Sequence, residues 1–235
     1  MLKKMTFAIV GLGLAVGATP VSAQWAFSVT PYVWWSGLNG DARVEGGPVV
    51  ELDSSASDFD FVPMLTFRGT SGTWGFLTDL AFTPGSVTGR VLDNALIVDV
   101  DNFIGTAMVT YDVTPAGGSE VFVAGGLRVL DARATVPTFD GEPEREGGRT
   151  WVDPVFGAGA RYGTSVLLNL YGDLGGFGIS SDFTYQLYGT VGYAFTRVVS
   201  ARAGYRLVRN NYQDGGEFLY EVSQSGFLLG VTFGF

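Results

Sequence analysis

A chain of 235 residues, 46% hydrophobic and 14% aromatic, is long enough for one large β domain, and it has no proline-rich or Gly/Ser linker that would divide it. Cysteine and histidine are both absent, which excludes disulfides, a lipoprotein cysteine and metal sites built on thiolate or imidazole. The formal net charge of -9 at pH 7 argues against nucleic acid as a partner, because the phosphates would be repelled.

The N-terminus has the composition of a secretory signal peptide. Lys3 and Lys4 precede an apolar run that is too short to span a membrane, and small residues suited to a signal peptidase lead up to Ala23. We expect cleavage after Ala23, which leaves residues 24–235 as the mature domain. Every basic residue of that domain is arginine. Either genomic base composition or a need for arginine forks to hold carboxylates or lipopolysaccharide phosphates would explain this bias.

Ten stretches of alternating apolar and polar residues predict ten antiparallel strands. They are 25–38, 61–69, 74–83, 96–112, 120–136, 149–163, 166–173, 182–195, 198–209 and 218–235. Short turns alternate with long loops, which are predicted at 39–60, with a β-ribbon around Gly46-Gly47, and at 84–95 and 137–148. This rhythm is typical of an up-and-down barrel that keeps its short turns and both chain ends in the periplasm. Eight strands is the alternative, if one of the two shortest stretches is misread.

The last eleven residues carry the clearest strand pattern. One face holds large apolar groups and the other holds mostly small ones. The large residues are Phe227, Leu229, Val231, Phe233 and Phe235. No helical layer upstream could cover such a face, so a closed transmembrane β-barrel is the economical structure, with a soluble β-sandwich as the alternative. The terminal Phe235 resembles the signal by which the barrel-assembly machinery recognises outer-membrane barrels.

Short motifs are spread over nearly the whole mature chain. They are PYVW at 31–34, WGFLTDL at 74–80, WVDP at 151–154, YGDLGGFG at 171–178, SDFTY at 181–185, GYR at 204–206 and the final Phe235. Together they resemble a group of proteobacterial outer-membrane β-barrel proteins whose members are mostly uncharacterised. The resemblance implies a porin-like, all-β fold in the outer membrane of a Gram-negative bacterium, in contact with lipid and lipopolysaccharide. It implies no catalytic residue.

Strand parity predicts a charged lumen, because polar residues opposite a lipid-facing apolar set must point inward. The predicted lumen residues are Arg68, Asp79, Asp99, Asp101, Arg128, Arg149, Asp153, Arg161, Asp173, Asp182, Arg202 and Arg206. A bulge could reverse the assignment of Asp99 and Asp101. The set is interpreted as an Arg/Asp network that fills and rigidifies a narrow barrel, or alternatively as the selectivity lining of a small solute or ion channel.

Catalysis is not expected. Outer-membrane barrel hydrolases resemble one another in relying on a histidine, which this chain lacks, and a Ser/Asp pair without a suitable base is a poor nucleophile. Asp99 and Asp101 could act as a carboxylate pair, but they lie two apart on one strand without a predicted cleft. We therefore assign no catalytic residue, no cofactor and no enzyme activity.

Acidic loops form a third candidate site. Asp140, Glu142, Glu144 and Glu146 lie close together in the 137–148 loop, where their oxygens could hold calcium or magnesium, including ions that bridge lipopolysaccharide. A solvated surface is the alternative, and no EF-hand spacing is present, so no metal site is assigned. The expected roles are thus a structural or binding barrel, a narrow channel, or a surface protein that binds through these loops.

Overall fold

The computed structural model describes residues 24–44, 47–55, 63–91, 94–114, 119–137 and 145–235. Every helix or strand in these ranges is a β-strand. The predicted signal peptide lies outside the described residues. Within the described part of the chain, no helix has the length and hydropathy needed to cross a bilayer.

Eleven strand segments follow one another along the chain. They are β1 (Ala26–Arg43), β2 (Val50–Asp53), β3 (Met64–Ser71), β4 (Trp74–Val91), β5 (Asn94–Asp112), β6 (Ser119–Val136), β7 (Arg145–Tyr162), β8 (Val166–Gly175), β9 (Phe183–Ala194), β10 (Val199–Gln213) and β11 (Leu219–Gly234). All their pairings are antiparallel.

The sheet closes on itself, because β11 pairs with β1 as well as with β10. At the seam Tyr32 lies opposite Gly230, and Phe27 and Phe235 exchange two backbone hydrogen bonds of 2.9 Å. Closure pairs the first strand with the last, which is what a bilayer requires of a β-structure. The predicted up-and-down barrel is confirmed.

The eleven segments occupy ten positions around the ring. Both β2 and β3 lie between β1 and β4, with Asn39 opposite Asp53 and Tyr32 opposite Met64. The two segments therefore share one strand position, interrupted by residues 54–63. Ten strands, rather than the alternative eight, is the better description of the ring.

The two ends of the barrel differ. One end carries both termini of the domain and the short connections at 72–73, 163–165 and 195–198, and we name it the turn end. The opposite end carries the connections at 176–182 and 214–218, and we name it the loop end.

An apolar band surrounds the barrel next to the turn end. The outward residues of β11 from Phe227 to Phe235 are exposed, as predicted, and so are Leu127 (55%) and Phe156 (62%) on other strands. On β5 the outward apolar residues run from Phe103 to Tyr111. This matches the roughly 9–11 residues that a tilted strand needs to cross a bilayer.

Towards the loop end the pattern inverts. On β5, Leu96, Val98 and Val100 are buried inside the barrel, whereas Asp99 and Asp101 are exposed outside it. Similar inward apolar residues on other strands form the loop-end core, which we define as Leu38, Val87, Val98, Ala132, Trp151, Val208, Phe218, Tyr220 and Val222. Strands of 18 or 19 residues, such as β4 to β7, extend well beyond the band, and their extensions pack as a water-soluble barrel would.

This extension corrects one predicted loop. The outer loop predicted at 84–95 is wrong, because β4 continues to Val91 and β5 begins at Asn94. The 39–60 region contains the end of β1 and all of β2, and the pairing of Asn39 with Asp53 and of Ala42 with Val50 agrees with the β-ribbon predicted there. Apolar side chains buried inside the ring stabilise these parts as strands.

Barrel closure predicts different outcomes for two glycines of β11. A Cβ at Gly226 would overlap the carbonyl oxygen of Trp35 on β1, whereas a Cβ at Gly234 would meet nothing closer than 3.9 Å. We expect Gly226→Ala to lower the urea midpoint strongly or to prevent folding, as judged by loss of the heat-modifiable gel shift. Gly234→Ala should fold like the unsubstituted chain, and equal behaviour of the two variants would contradict the close approach at the seam.

Candidate functional site

The lumen has three layers. The loop-end core fills one end, a layer of paired charges lies in the middle, and a chamber lined by arginines lies at the turn end. The central layer and the turn-end chamber contain most of the charged residues that point inward.

Arg128 on β6 forms the most deeply buried ion pair. Its Nη2 donates to Asp173 Oδ2 over 2.6 Å and its Nε to Thr106 Oγ1 over 3.2 Å. The Arg128 and Asp173 side chains are both 0% exposed. Asp153, opposite Arg128 in the ladder, accepts hydrogen bonds from the backbone N–H (2.8 Å) and the hydroxyl (2.6 Å) of Ser181. Each of these buried charges thus has a polar partner, as a low-dielectric interior requires.

Arg206 on β10 holds a second buried cluster together. Its Nη1 lies 2.9 Å from Asp79 Oδ1 and donates to the Tyr32 hydroxyl over 2.7 Å, while its Nη2 donates to Gln186 Oε1 over 2.6 Å. The guanidinium also lies 4.8 Å from the ring centre of Trp34. These contacts connect four strands, β1, β4, β9 and β10, across the lumen.

The chamber at the turn end is more open. Arg68, Arg161 and Arg202 line it, and Glu120 is the carboxylate that pairs there, with Arg68 Nη2 and, over 3.5 Å, with Arg161 Nη2. The Arg68 guanidinium lies 4.9 Å from the ring centre of Phe122.

Two adjoining cavities make up the chamber. Their volumes are about 50 and 40 Å³, and they share Thr66, Tyr171, Tyr188 and Arg202 in their walls. The deeper cavity reaches the Arg206 cluster.

Solvent exposure rises towards the turn end. Asp153 and Arg128 are 0% exposed, whereas the side chains of Glu120 and Arg161 are 27% and 34% exposed. Water therefore reaches the chamber from the turn end.

A charged cluster also lies at the loop end. Arg149 Nε donates to Asp214 Oδ2 over 2.6 Å, and its Nη2 donates to Glu217 over 3.5 Å. Partial burial favours a higher pKa for Asp214, but the Arg149 guanidinium and the backbone N–H of Phe218 outweigh it, so the pKa lies below its ordinary value. The cluster holds the 214–218 turn over the mouth of the barrel.

Most of the predicted lumen residues do lie inside the ring. The inward residues are Arg68, Asp79, Arg128, Arg149, Asp153, Arg161, Asp173, Arg202 and Arg206. They form separate clusters rather than one continuous network. Arg149 lies at the loop end, on the outer side of the loop-end core, whereas the chamber arginines Arg68, Arg161 and Arg202 lie between the central layer and the turn end.

Three predicted lumen positions are wrong. Asp99 and Asp101 point outward, because the apolar residues of β5 face inward beyond the membrane band. Asp182 belongs to the connection between β8 and β9, where it is exposed and accepts a hydrogen bond from Gln213 over 3.2 Å. The first two positions are wrong because β5 is longer than the bilayer is thick, and the third is wrong because β9 begins only at Phe183, after Asp182.

Sequence reasoning missed Glu120, Tyr32 and Trp34 as lumen residues. Tyr32 and Trp34 are 6% and 5% exposed inside the barrel. Glu120 shares the parity of Arg128 on β6, so the same alternation would have placed it inside.

The loop candidate lies largely outside the described residues. Asp140, Glu142 and Glu144 are not described, and Glu146 is exposed on β7. In the ranges that the structure covers, no three acidic residues are grouped closely enough to hold a metal ion. Binding of cations or a partner by this loop stays a prediction.

The closed ring, apolar band and polar lumen define an outer-membrane β-barrel fold. The chain is similar to the outer membrane protease OmpT from Escherichia coli, with 9% identity, a TM-score of 0.57 and coverage of 93% of this chain and 99% of that one. It also matches Neisserial surface protein A, with 16% identity, a TM-score of 0.39 and coverage of 88% of this chain and 97% of that one. A further match is OprG from Pseudomonas aeruginosa, with 12% identity, a TM-score of 0.40 and coverage of 89% of this chain and 96% of that one. No family model and no curated protein sequence matches the chain. At these identities the likeness concerns the fold alone.

Removing one partner of the central ion pair should destabilise the barrel strongly. Arg128→Met leaves Asp173 buried without a counter-charge, which costs about 3–5 kcal/mol. Urea unfolding of the refolded barrel in detergent would measure this loss. The double variant Arg128→Met/Asp173→Leu should recover at least half of it.

The exposed pair Arg133–Asp131, 3.0 Å apart, provides the matched control. Arg133→Met should change the free energy of unfolding by less than about 1 kcal/mol. Additive losses in the double variant would contradict the coupling of Arg128 and Asp173.

The Asp214 cluster predicts a pH dependence. Because the pKa of Asp214 is lowered in the folded chain, its contribution is present at neutral pH and is lost as the pH falls through that folded-state value, below about pH 4. We expect Asp214→Asn to lower the unfolding midpoint at pH 7, and we expect this difference to shrink as the pH falls through the lowered pKa of Asp214. The half-exposed site limits the effect to about 1 kcal/mol. A midpoint difference independent of pH would exclude this role.

Proposed function

We propose that this protein is a non-enzymatic outer-membrane barrel without an open pore, whose lumen binds a small solute from the periplasmic side. The observation that carries this proposal is the division of the lumen into a sealed half and a water-accessible chamber. The seal lies towards the loop end, and the chamber opens at the turn end.

Two successive barriers support the absence of a pore. Close-packed side chains such as Leu38, Val87 and Val208, each 0% exposed, fill the loop-end half. In the central layer, nearer the turn end, Arg128 and Arg206 are each held by several hydrogen bonds. An ion would have to break these contacts to pass, at a cost of several kcal/mol.

The orientation follows from the connections. Bacterial outer-membrane barrels keep short turns in the periplasm and longer loops outside, which supports a periplasmic position for the turn end and its chamber. The apolar band beside the turn end supports insertion of that half in lipid. Cleavage after Ala23 remains part of the proposal.

The residue content supports a non-enzymatic role. The chain has no histidine, and the carboxylate pair Asp99/Asp101 lies on the outer surface rather than in a cleft. The likeness to a protease concerns the fold, at 9% identity, and carries no catalytic residue to this chain.

Single-channel recording of the refolded barrel, residues 24–235, in a planar bilayer tests the proposal. We expect no discrete ohmic steps from protein that a heat-modifiable gel shift shows to be folded. Discrete steps whose ion selectivity changes in Arg206→Ala, but not in the outer-surface control Arg133→Ala, would establish the alternative function of a narrow channel.

A further inference from the structure

The arginines of the chamber have more donors than the described residues supply acceptors for. Six buried guanidinium nitrogens in the described residues lack a hydrogen-bond acceptor, and four of them belong to the chamber. These are Nε of Arg68, Nε of Arg202, and Nε and Nη2 of Arg161, of which Arg161 Nη2 lies 3.5 Å from Glu120 Oε1 without making a hydrogen bond. A buried donor without an acceptor costs about 1–3 kcal/mol, so these donors need oxygens from water or from a ligand.

The charge of the chamber is also unbalanced. Arg68 and Arg161 pair with Glu120, and Arg202 makes no ion pair among the described residues, so these three guanidinium groups and one carboxylate sum to a charge of +2. A second acidic group at this end, Asp112 at the end of β5, interacts electrostatically with Arg68 without an ion pair within 4.0 Å, and it accepts hydrogen bonds from the backbone N–H (2.9 Å) and hydroxyl (2.6 Å) of Thr114. In the central layer, by contrast, each arginine has its own aspartate.

The positions of the three arginines suit one shared ligand. Arg68 and Arg161 both pair with Glu120, and their guanidinium carbons lie 4.9 and 6.0 Å from the centre of the same Phe122 ring. Arg202 lines the same cavity and makes no ion pair within 4.0 Å among the described residues.

We propose that this chamber is a binding site for a dianionic phosphate group, free or as a monoester, that enters from the turn end. The two negative charges would neutralise the excess of +2, and the phosphate oxygens would accept from the four orphaned donors. A planar carboxylate or a lipid phosphodiester carries a single charge and would leave one positive charge uncompensated. The assignment rests on the proposed function, because it requires a chamber that is closed at one end and open to solvent at the other.

Isothermal titration of the refolded barrel in a phosphate-free maltoside detergent at about pH 8, at constant ionic strength, tests the site. Inorganic phosphate should bind saturably with a Kd below about 1 mM. Dimethyl phosphate, which carries the single charge of a lipid phosphodiester, and acetate should each bind at least about tenfold more weakly. Equal binding of all three would overturn the assignment of a dianion.

Two substitutions should act in opposite directions. Arg202→Gln removes a positive charge that has no ion-pair partner, so affinity should fall about tenfold or more while the urea midpoint hardly changes. Glu120→Gln removes the competing carboxylate, so phosphate should bind several-fold more tightly. Arg133→Gln, which makes the same change of net charge as Arg202→Gln on the outer surface, should leave the affinity unchanged.

The absence of saturable phosphate binding, or equal affinity in Arg202→Gln and Arg133→Gln, would overturn the site. A barrel that does not conduct and does not bind phosphate would be consistent with the proposed barrel without a pore and would overturn only the phosphate site. A barrel that conducts and still binds phosphate would overturn the proposal that it has no pore.

Discussion

The structure depends on one constraint, which is that a strand in lipid must pair its backbone N–H and C=O groups along both sides. The ladder between β1 and β11 meets this constraint by closing the ring, from the Phe27–Phe235 seam up to the pairing of Arg43 with Leu219. A ring of ten strand positions is narrow, so inward side chains meet across the lumen. Tyr32 on β1 and Arg206 on β10, for example, are joined by a hydrogen bond of 2.7 Å.

Water access then decides which charges the lumen can hold. Where no water enters, every cation needs its own anion, and Arg128 with Asp173 meets this need at 0% exposure. Near the turn end the partly exposed chamber tolerates three arginines, two of them paired with Glu120, because water screens part of the repulsion. The excess of positive charge therefore lies where a solute from solution can reach it.

The sequence alone was sufficient for the ring but not for the full length of its strands. Alternation predicts the lipid-facing residues of β11 and the inward positions of Arg128, Asp153 and Arg206, since a period of two needs only one known face. It fails at Asp99 because β5 extends beyond the bilayer. The apolar residues of β5 face the lipid from Phe103 to Tyr111, but they face the core of the barrel from Leu96 to Val100. Pairings across the lumen, such as Arg206 with Asp79, depend on ring geometry that no local pattern contains.

Geometry also explains part of the arginine bias. Arg206 uses Nη1 and Nη2 to reach Asp79, Tyr32 and Gln186 while its flat face lies over Trp34, and Arg128 reaches three acceptors on separate strands. A lysine ammonium has neither the planar fork nor the stacking face, so it could not make these contacts simultaneously. Arg133, which is exposed and whose ion pair among the described residues is with Asp131, has no such requirement, and there base composition is a sufficient account. Arginine is thus a structural requirement of the lumen and not of the outer surface.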